Sequence, residues 1–174
     1  MHDQKAFQEI CSRIQRSRMR LLVEHGFYGL LLMHVKLQLD PSIKTAATDG
    51  DSIFFSPVFL SGLSDTELDF IMLHEIMHIV LDHLTRAREF KDRETANTAA
   101  DIIVNSYIYE EYGNKASAVS INGKESLHRL PDGSEGNKHS FEEVYQLLKK
   151  QKKSGTALSS KKSIMAANAH VKRR

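Results

Sequence analysis

One stretch constrains this chain more than any other. His74 and His78 are four residues apart, and Glu75 directly follows the first histidine. On an α-helix, residues i and i+4 lie on the same face, so both imidazoles can reach one metal ion. Glu75 is turned roughly 100° from His74 at 3.6 residues per turn, beside such an ion rather than among its ligands. Nitrogen ligands with a neighbouring carboxylate base indicate a zinc-dependent hydrolase site.

The surrounding sequence predicts that this motif lies on a buried helix. Ser64 and Glu67 have the spacing of a capping box, and we expect the helix to run from about residue 65 to about residue 88. Apolar residues follow on nearly every side of it, as in a helix that is buried all round. Buried polar groups need partners. Hydrogen bonds from core histidines to the backbone are the alternative to a metal.

Composition limits the class of protein. The 174 residues are 41% hydrophobic and 26% charged, which is ordinary for one soluble domain. No apolar run approaches twenty residues, so no membrane span is expected. The first residues lack a secretion signal. Cys11 is the single cysteine and cannot form an internal disulfide. These features favour a cytoplasmic protein.

The charges are distributed unevenly. Nine Lys and Arg and no acids follow residue 148, whereas residues 1–148 hold 15 Lys and Arg against 22 Asp and Glu, a net charge of −7. We therefore divide the chain into a domain at 1–148 and a basic, disordered tail at 149–174. Nucleic-acid binding by the tail is the less favoured interpretation, because the tail has no aromatic residues on which bases stack.

Hydrophobic periodicity predicts the elements before the motif. Residues 3–25 form an amphipathic helix, with Arg13, Arg16, Arg18 and Arg20 on its solvent-facing side. Residues 34–39 alternate as a half-buried strand. Residues 44–48 and 52–56 flank an Asp-Gly turn and form a hairpin. The result is a small antiparallel sheet, whose strand 52–56 offers an edge to an extended peptide.

The elements after the motif are a second buried helix at about 94–112 and a long loop at 114–139. A last short helix follows, capped by Ser140 and apolar on one face up to residue 148. The fold class is therefore α+β, with the motif helix and the second helix as its buried pair.

A catalytic zinc usually has a third protein ligand, and the second helix carries the best candidate. Asn97, Asp101 and Asn105 are spaced four apart and form one polar stripe on an otherwise apolar helix. Asp101 as metal ligand, with Asn105 orienting a ligand histidine and Asn97 as a further supporting partner of the ligands, satisfies this stripe. Caps at helix ends and a bond from Asn105 to the backbone are the alternative.

Other polar residues are weaker candidates. His83 points away from His78 on a continuous helix and would bind the metal only if the helix broke near Asp82, where no Gly or Pro stands. Asp82 is either a supporting hydrogen-bond partner of the ligands or a surface acid. A loop histidine, His128 or His139, is the remaining alternative for the third ligand, but no spacing supports either. Together with Arg129 and Tyr145, these histidines are better regarded as donors to the transition state.

A family resemblance accompanies these motifs. Residues 48–50 (TDG), 53–57 (IFFSP), 74–86 (HEIMHIVLDHLTR), 97–105 (NTAADIIVN) and 142–145 (EEVY) resemble the bacterial and phage family called putative metallopeptidase domain, which often precedes a von Willebrand A-like domain. The resemblance covers residues 10–148. It implies a zincin-type fold in which His74, His78 and Asp101 bind the metal and Glu75 is the base. The site is similar to that of gluzincins, with Asp where they have Glu, so the second helix must pack closer.

The sequence therefore predicts a zinc peptidase that acts on a peptide or protein substrate. The alternative is a non-catalytic, zinc-stabilised module that assembles with a partner ATPase or von Willebrand A-like protein. Glu75 favours the enzyme, because a structural zinc site has no use for a base.

Overall fold

A computed structural model describes residues 2–154, which form seven α-helices and two small sheets. The α-helices are α1 (His2–Glu24), α2 (Gly26–His34), α3 (Pro57–Ser61), α4 (Asp65–Val80), α5 (His83–Arg86), α6 (Arg93–Glu111) and α7 (Phe141–Ser154). The strands are β1 (Lys36–Leu39), β2 (Ala46–Thr48), β3 (Ser52–Phe55), β4 (Ser120–Ile121) and β5 (Lys124–Glu125). The fold class is α+β, as predicted.

Capping side chains determine where the two central helices begin. The predicted capping box opens α4: the Ser64 hydroxyl accepts from the Glu67 backbone N–H at 3.3 Å, and the Glu67 carboxylate accepts from the Ser64 backbone N–H at 2.7 Å. Asp92 caps α6 by accepting from the Thr95 N–H at 3.1 Å. Each cap satisfies backbone donors that have no partner within the helix. Both helices then bury most of their residues.

The end of α4 differs from the prediction. The helix was expected to continue to about residue 88, but it ends at Val80. Asp82 adopts the left-handed conformation (φ 51°, ψ 38°), and the short helix α5 follows at once. Short polar residues such as aspartate adopt this conformation more readily than most, so the helix ends here without glycine or proline. The break turns His83 back toward the last turn of α4.

The sheet around β3 is mixed rather than antiparallel. Its order is β1-β3-β2. The predicted hairpin forms between β2 and β3, with Gly50 at φ 98° in the turn, but β1 runs parallel to β3. All four residues of β3 are buried, and this most apolar strand takes the centre. The expectation that strand 52–56 offers a peptide-binding edge is therefore wrong, because β3 has a neighbour on both sides.

All four arginines of α1 were predicted to face solvent, but three of them contact neighbouring elements instead. Arg13 donates to the Leu60 carbonyl at 3.0 Å, and Arg18 donates to the Val35 carbonyl at 2.8 Å. These carbonyls lie near the C-termini of α3 and α2, where backbone acceptors lack helical partners. Arg20 donates to the Asp69 carboxylate of α4 at 2.7 Å. The arginines thus attach α1 to its neighbours.

The last described helix, α7, extends past the predicted end at residue 148 to Ser154. Ser140 and Glu143 form its capping box. Lys149, in the predicted tail, lies 3.0 Å from the Asp92 carboxylate at the start of α6. The remainder of the predicted tail, 155–174, lies outside the described residues. Among residues 2–154, no helix has the length and apolar character needed to cross a membrane.

Candidate metal centre

Two helices bring three potential ligand atoms together. His74 and His78 occupy the last turns of α4, and Asp101 lies on the facing side of α6. The Nε2 atoms of the histidines are 2.9 Å apart, and the Asp101 Oδ1 lies 3.5 Å from the first and 3.4 Å from the second. Of the His, Cys, Asp and Glu residues in the described range, these three form the group suited to holding a metal ion.

The size of this triangle fits a small divalent cation. Ligand atoms at about 2.0–2.1 Å from a tetrahedral zinc are separated by roughly 3.3 Å from one another. The three observed separations of 2.9, 3.4 and 3.5 Å bracket that value. Two imidazole nitrogens and one carboxylate oxygen are also a donor set that zinc uses in catalytic sites. The residues present therefore fit a small metal ion, with a slight separation of the two imidazole nitrogens.

Asn105 contacts the outer nitrogen of His74. Its Oδ1 lies 2.9 Å from Nδ1 of the imidazole, and its amide Nδ2 donates to the Leu127 carbonyl at 2.9 Å. An Nδ1–H that donates to Asn105 leaves the His74 Nε2 unprotonated and available as a ligand. The carbonyl of Leu127, in the loop after β5, is a participant that the sequence did not indicate.

His83 contacts the outer nitrogen of His78. The two Nδ1 atoms are 3.1 Å apart, which is possible because the helix is interrupted at Asp82. His83 is 3% exposed and is not part of the three-residue group. Burial, together with the charges of His78 and Arg86, lowers the pKa of His83 to about 2, so the ring is neutral. His83 therefore contacts His78 at Nδ1, the ring nitrogen that does not face Asp101.

The charges of the group depend on one another. Burial alone would raise the pKa of Asp101, but hydrogen bonds from His74 and His78 outweigh it, and the pKa of this carboxyl is lowered. Burial lowers the pKa of His78. Burial is the largest single influence on His74 and acts to lower its pKa, but the hydrogen bond and charge of Asp101, the charge of Glu75 and the Asn105 hydrogen bond together outweigh it, and the pKa is raised. The negative end of α4 also favours a cation beside its last turn.

Glu75 lies on α4 beside the two histidines and is 4% exposed. Burial is the main cause that raises its pKa, to about 7; the charge of His74 acts in the opposite direction. A carboxyl group with a pKa near neutrality both accepts and releases a proton in that pH range. Of the three candidate ligand residues, His78 has the most exposed side chain, at 14%, against 1% for His74 and Asp101. Solvent therefore reaches the site on the His78 side.

Two of the candidate donors, Tyr145 and His139, do not belong to the group formed by His74, His78 and Asp101. The ring of Tyr145 is buried and stacks on Phe90, with centroids 4.0 Å apart. His139 lies with its Nε2 3.2 Å from the Ser134 hydroxyl. Hydrophobic packing thus accounts for Tyr145, and a loop contact accounts for His139.

The other two loop candidates are held elsewhere. His128 stacks on Tyr109 with centroids 4.2 Å apart, and its Nδ1 lies 3.2 Å from the Ser126 carbonyl. Arg129 packs over the ring of Tyr109 and lies 3.9 Å from the Glu135 carboxylate. Neither residue belongs to the group formed by His74, His78 and Asp101.

The two remaining candidates occupy different positions in the helices. Asp82 is exposed at the break after α4. Its left-handed backbone conformation ends that helix. Asn97 is partly buried one turn before Asp101. Its role as a supporting partner of the ligands stays a prediction.

The fold and this cluster define a class: an α+β domain with a buried His-His-Asp group suited to a metal ion. The family follows from comparison with known proteins. Residues 9–172 match the family described as putative metallopeptidase domain, and the chain belongs to that family. This confirms the family resemblance of residues 10–148 and extends it beyond residue 148. No curated protein and no solved structure matches significantly.

Proposed function

We propose that this domain is a zinc-dependent peptidase. Its family membership supports a metallopeptidase, and the buried group supports a metal ion. The observation that carries the proposal is Glu75, a buried carboxyl group next to the ligand histidine His74, with its pKa raised to about 7. A structural metal site does not require such a group, whereas a hydrolytic site does.

The donor set favours zinc. Catalytic zinc sites characteristically have three protein ligands and one open position. His74, His78 and Asp101 supply three ligand atoms, and solvent reaches them on the His78 side. Non-haem iron also uses two histidines and one carboxylate, but the HExxH spacing on a helix is typical of zinc peptidases.

The proposed chemistry assigns one role to each residue. When bound, the ion supplies Lewis-acid polarisation of a water molecule and of the scissile carbonyl. Glu75 accepts the proton of the attacking water and passes it to the leaving amine nitrogen. Asn105 holds His74 in the tautomer that leaves Nε2 free. Each proton is thus taken up or released by a group of this chain.

The proposal includes a zincin-like arrangement. The motif lies on α4, and the third ligand comes from the next long helix, α6. This is similar to gluzincins except that Asp101 replaces a glutamate. The shorter side chain nevertheless brings its Oδ1 to within 3.5 Å of both ligand nitrogens. The close approach of α4 and α6 therefore supports aspartate in this position.

Glu75→Gln tests the proposal. The zinc-loaded protein and the variant are incubated with a peptide library, and cleavage is followed by mass spectrometry. We expect the variant to retain its zinc and to lose at least about 100-fold in rate, because glutamine cannot accept the proton. The exposed Glu94→Gln serves as the control and should cleave normally.

Two results would contradict the proposal. Full activity of Glu75→Gln would rule out Glu75 as the general base. Stoichiometric zinc without cleavage of any peptide by the unmodified protein would favour the non-catalytic, zinc-stabilised module.

A further inference from the structure

His83 is a buried polar residue that the proposed mechanism does not use. It is 3% exposed, and its Nε2 has no hydrogen-bond partner among residues 2–154. Its ring packs against Phe141 of α7, with centroids 4.9 Å apart. An apolar side chain would fill this place without leaving a buried polar atom unsatisfied. The presence of histidine here therefore points to its other nitrogen.

That other nitrogen faces a ligand. The His83 Nδ1 lies 3.1 Å from the His78 Nδ1, and the His78 Nε2 lies 3.4 Å from the Asp101 Oδ1. Two imidazole nitrogens at hydrogen-bond distance require one donor and one acceptor. A metal-binding Nε2 carries no proton, so the proton of His78 is on Nδ1 and His83 is the acceptor. The proton of His83 is then on the unsatisfied Nε2.

The backbone and α7 hold His83 in this position. The left-handed residue Asp82 directs the chain back toward α4. Arg86, at the end of α5, packs over the Phe141 ring and donates to the Glu142 carboxylate at 2.7 Å. The His83 ring is thus confined between His78 on one side and Phe141 on the other.

We infer that His83 is a positioning residue that fixes the tautomer of His78, so that Nε2 of His78 is presented to the metal ion. Asn105 has the same relation to His74, which gives each ligand imidazole its own outer acceptor. The inference rests on the metal-binding part of the proposed function and is independent of peptide cleavage.

Zinc affinity of three proteins tests this role, measured by competition with a chromophoric chelator. His83→Phe keeps the ring shape against Phe141 but has no acceptor, and we expect zinc to bind it about 10- to 100-fold more weakly than the unmodified protein. His83→Asn keeps an acceptor near the position of Nδ1, and its affinity should stay close to that of the unmodified protein. Thermal unfolding of the metal-free variants establishes that each is folded.

Nitrogen NMR of the zinc-loaded proteins gives a second measurement that packing alone does not change. We expect the Nδ1–H proton of His78 to exchange slowly with solvent in the unmodified protein and in His83→Asn, where it has an acceptor, and rapidly in His83→Phe. Unchanged zinc affinity in His83→Phe, or an equal loss in folded His83→Asn, would overturn the inference. Weaker zinc binding by His83→Phe in a protein that cleaves no peptide would support it while the proposed function fails.

Discussion

At the residue scale, the site consists of buried polar groups that satisfy one another. His74 and Asp101 are each 1% exposed, and neither could be buried at this depth without a partner. Asn105 joins His74 to the Leu127 carbonyl, so one amide satisfies an imidazole of α4 and a carbonyl of the following loop. The orientation of His74 therefore depends on a residue outside the candidate metal-binding group.

Asn105→Leu should weaken zinc binding about 10- to 100-fold, because the His74 Nδ1–H loses its acceptor. It should also destabilise the metal-free protein, since the partly buried Leu127 carbonyl loses its donor. Chelator competition and thermal unfolding measure the two effects. Asn105→Asp retains an oxygen for His74 and should lose less zinc affinity. An Asn105→Leu variant with unchanged zinc affinity would show that Asn105 does not orient His74.

Sequence periodicity could indicate part of this site. The spacing of four between Asn97, Asp101 and Asn105 places them on one face whatever the tertiary structure, so Asp101 could be proposed as a ligand. The position of His83 could not be predicted, because it depends on a left-handed Asp82 that no glycine or proline announces. A local backbone state of this kind is selected by tertiary packing.

At the element scale, the chain positions its helices through caps and close backbone approaches. Asp92 caps α6 and lies 3.0 Å from the Lys149 ammonium of α7, so one carboxylate links two helices. Gly29 of α2 packs directly against the backbone of α1: a Cβ there would lie 2.3 Å from the Leu22 Cα. Only glycine permits this approach.

Asp92→Ala should lower the free energy of unfolding by about 1 kcal/mol at neutral pH, because α6 loses its N-cap. Hydrogen bonds from Thr95 are the main cause that lowers the pKa of Asp92 in the folded state. A carboxyl group of lowered pKa stabilises the fold above its unfolded pKa of about 3.9 and loses that contribution as pH falls toward the folded pKa. Denaturation at several pH values should therefore show that the difference in unfolding free energy between Asp92→Ala and the unmodified protein decreases in acid.

Asp92→Asn is the matched variant. Asparagine caps helices as well as aspartate does, so most of the stability should remain, apart from the weak surface pairs with Lys149 and Lys152. A gap between Asp92→Ala and the unmodified protein that stays constant down to low pH would contradict the assignment.

Gly29→Ala should destabilise the protein by about 1–3 kcal/mol, because α1 and α2 must separate. This outweighs the helix propensity of alanine, which favours the substitution by about 1 kcal/mol. Gly26→Ala, on the same helix with no atom within 4 Å of its added Cβ, should be neutral or stabilising. Equal effects in urea denaturation would refute the close approach.

Local signals predicted helix starts better than strand pairing. Ser64 and Ser140 could be identified as caps from residues three positions apart, and the Asp49-Gly50 turn indicated the hairpin. The parallel pairing of β1 with β3 depends on which strand is most deeply buried, which no local pattern encodes. The ties from Arg13 and Arg18 to helix C-termini likewise form between distant segments.

At the scale of the whole molecule, the site lies where two hydrophobic clusters meet. One cluster includes α4 with α1, α2 and the sheet around β3, and the other includes α6 with α7. His74 and His78 come from the first side, and Asp101 comes from the helix that joins both. A metal ion held by all three connects the two halves, so binding should also stabilise the fold, by about 2.7 kcal/mol at a free concentration 100 times the dissociation constant.

Metal content of the purified protein tests the central assignment most directly. After dialysis against a weak chelator, we expect elemental analysis to find one zinc per chain in the unmodified protein and in Asp82→Asn, whose exposed side chain lies outside the group. Asp101→Asn, of the same size but without the carboxylate, should retain almost none. Equal zinc in Asp101→Asn and the unmodified protein would contradict the joint site of α4 and α6.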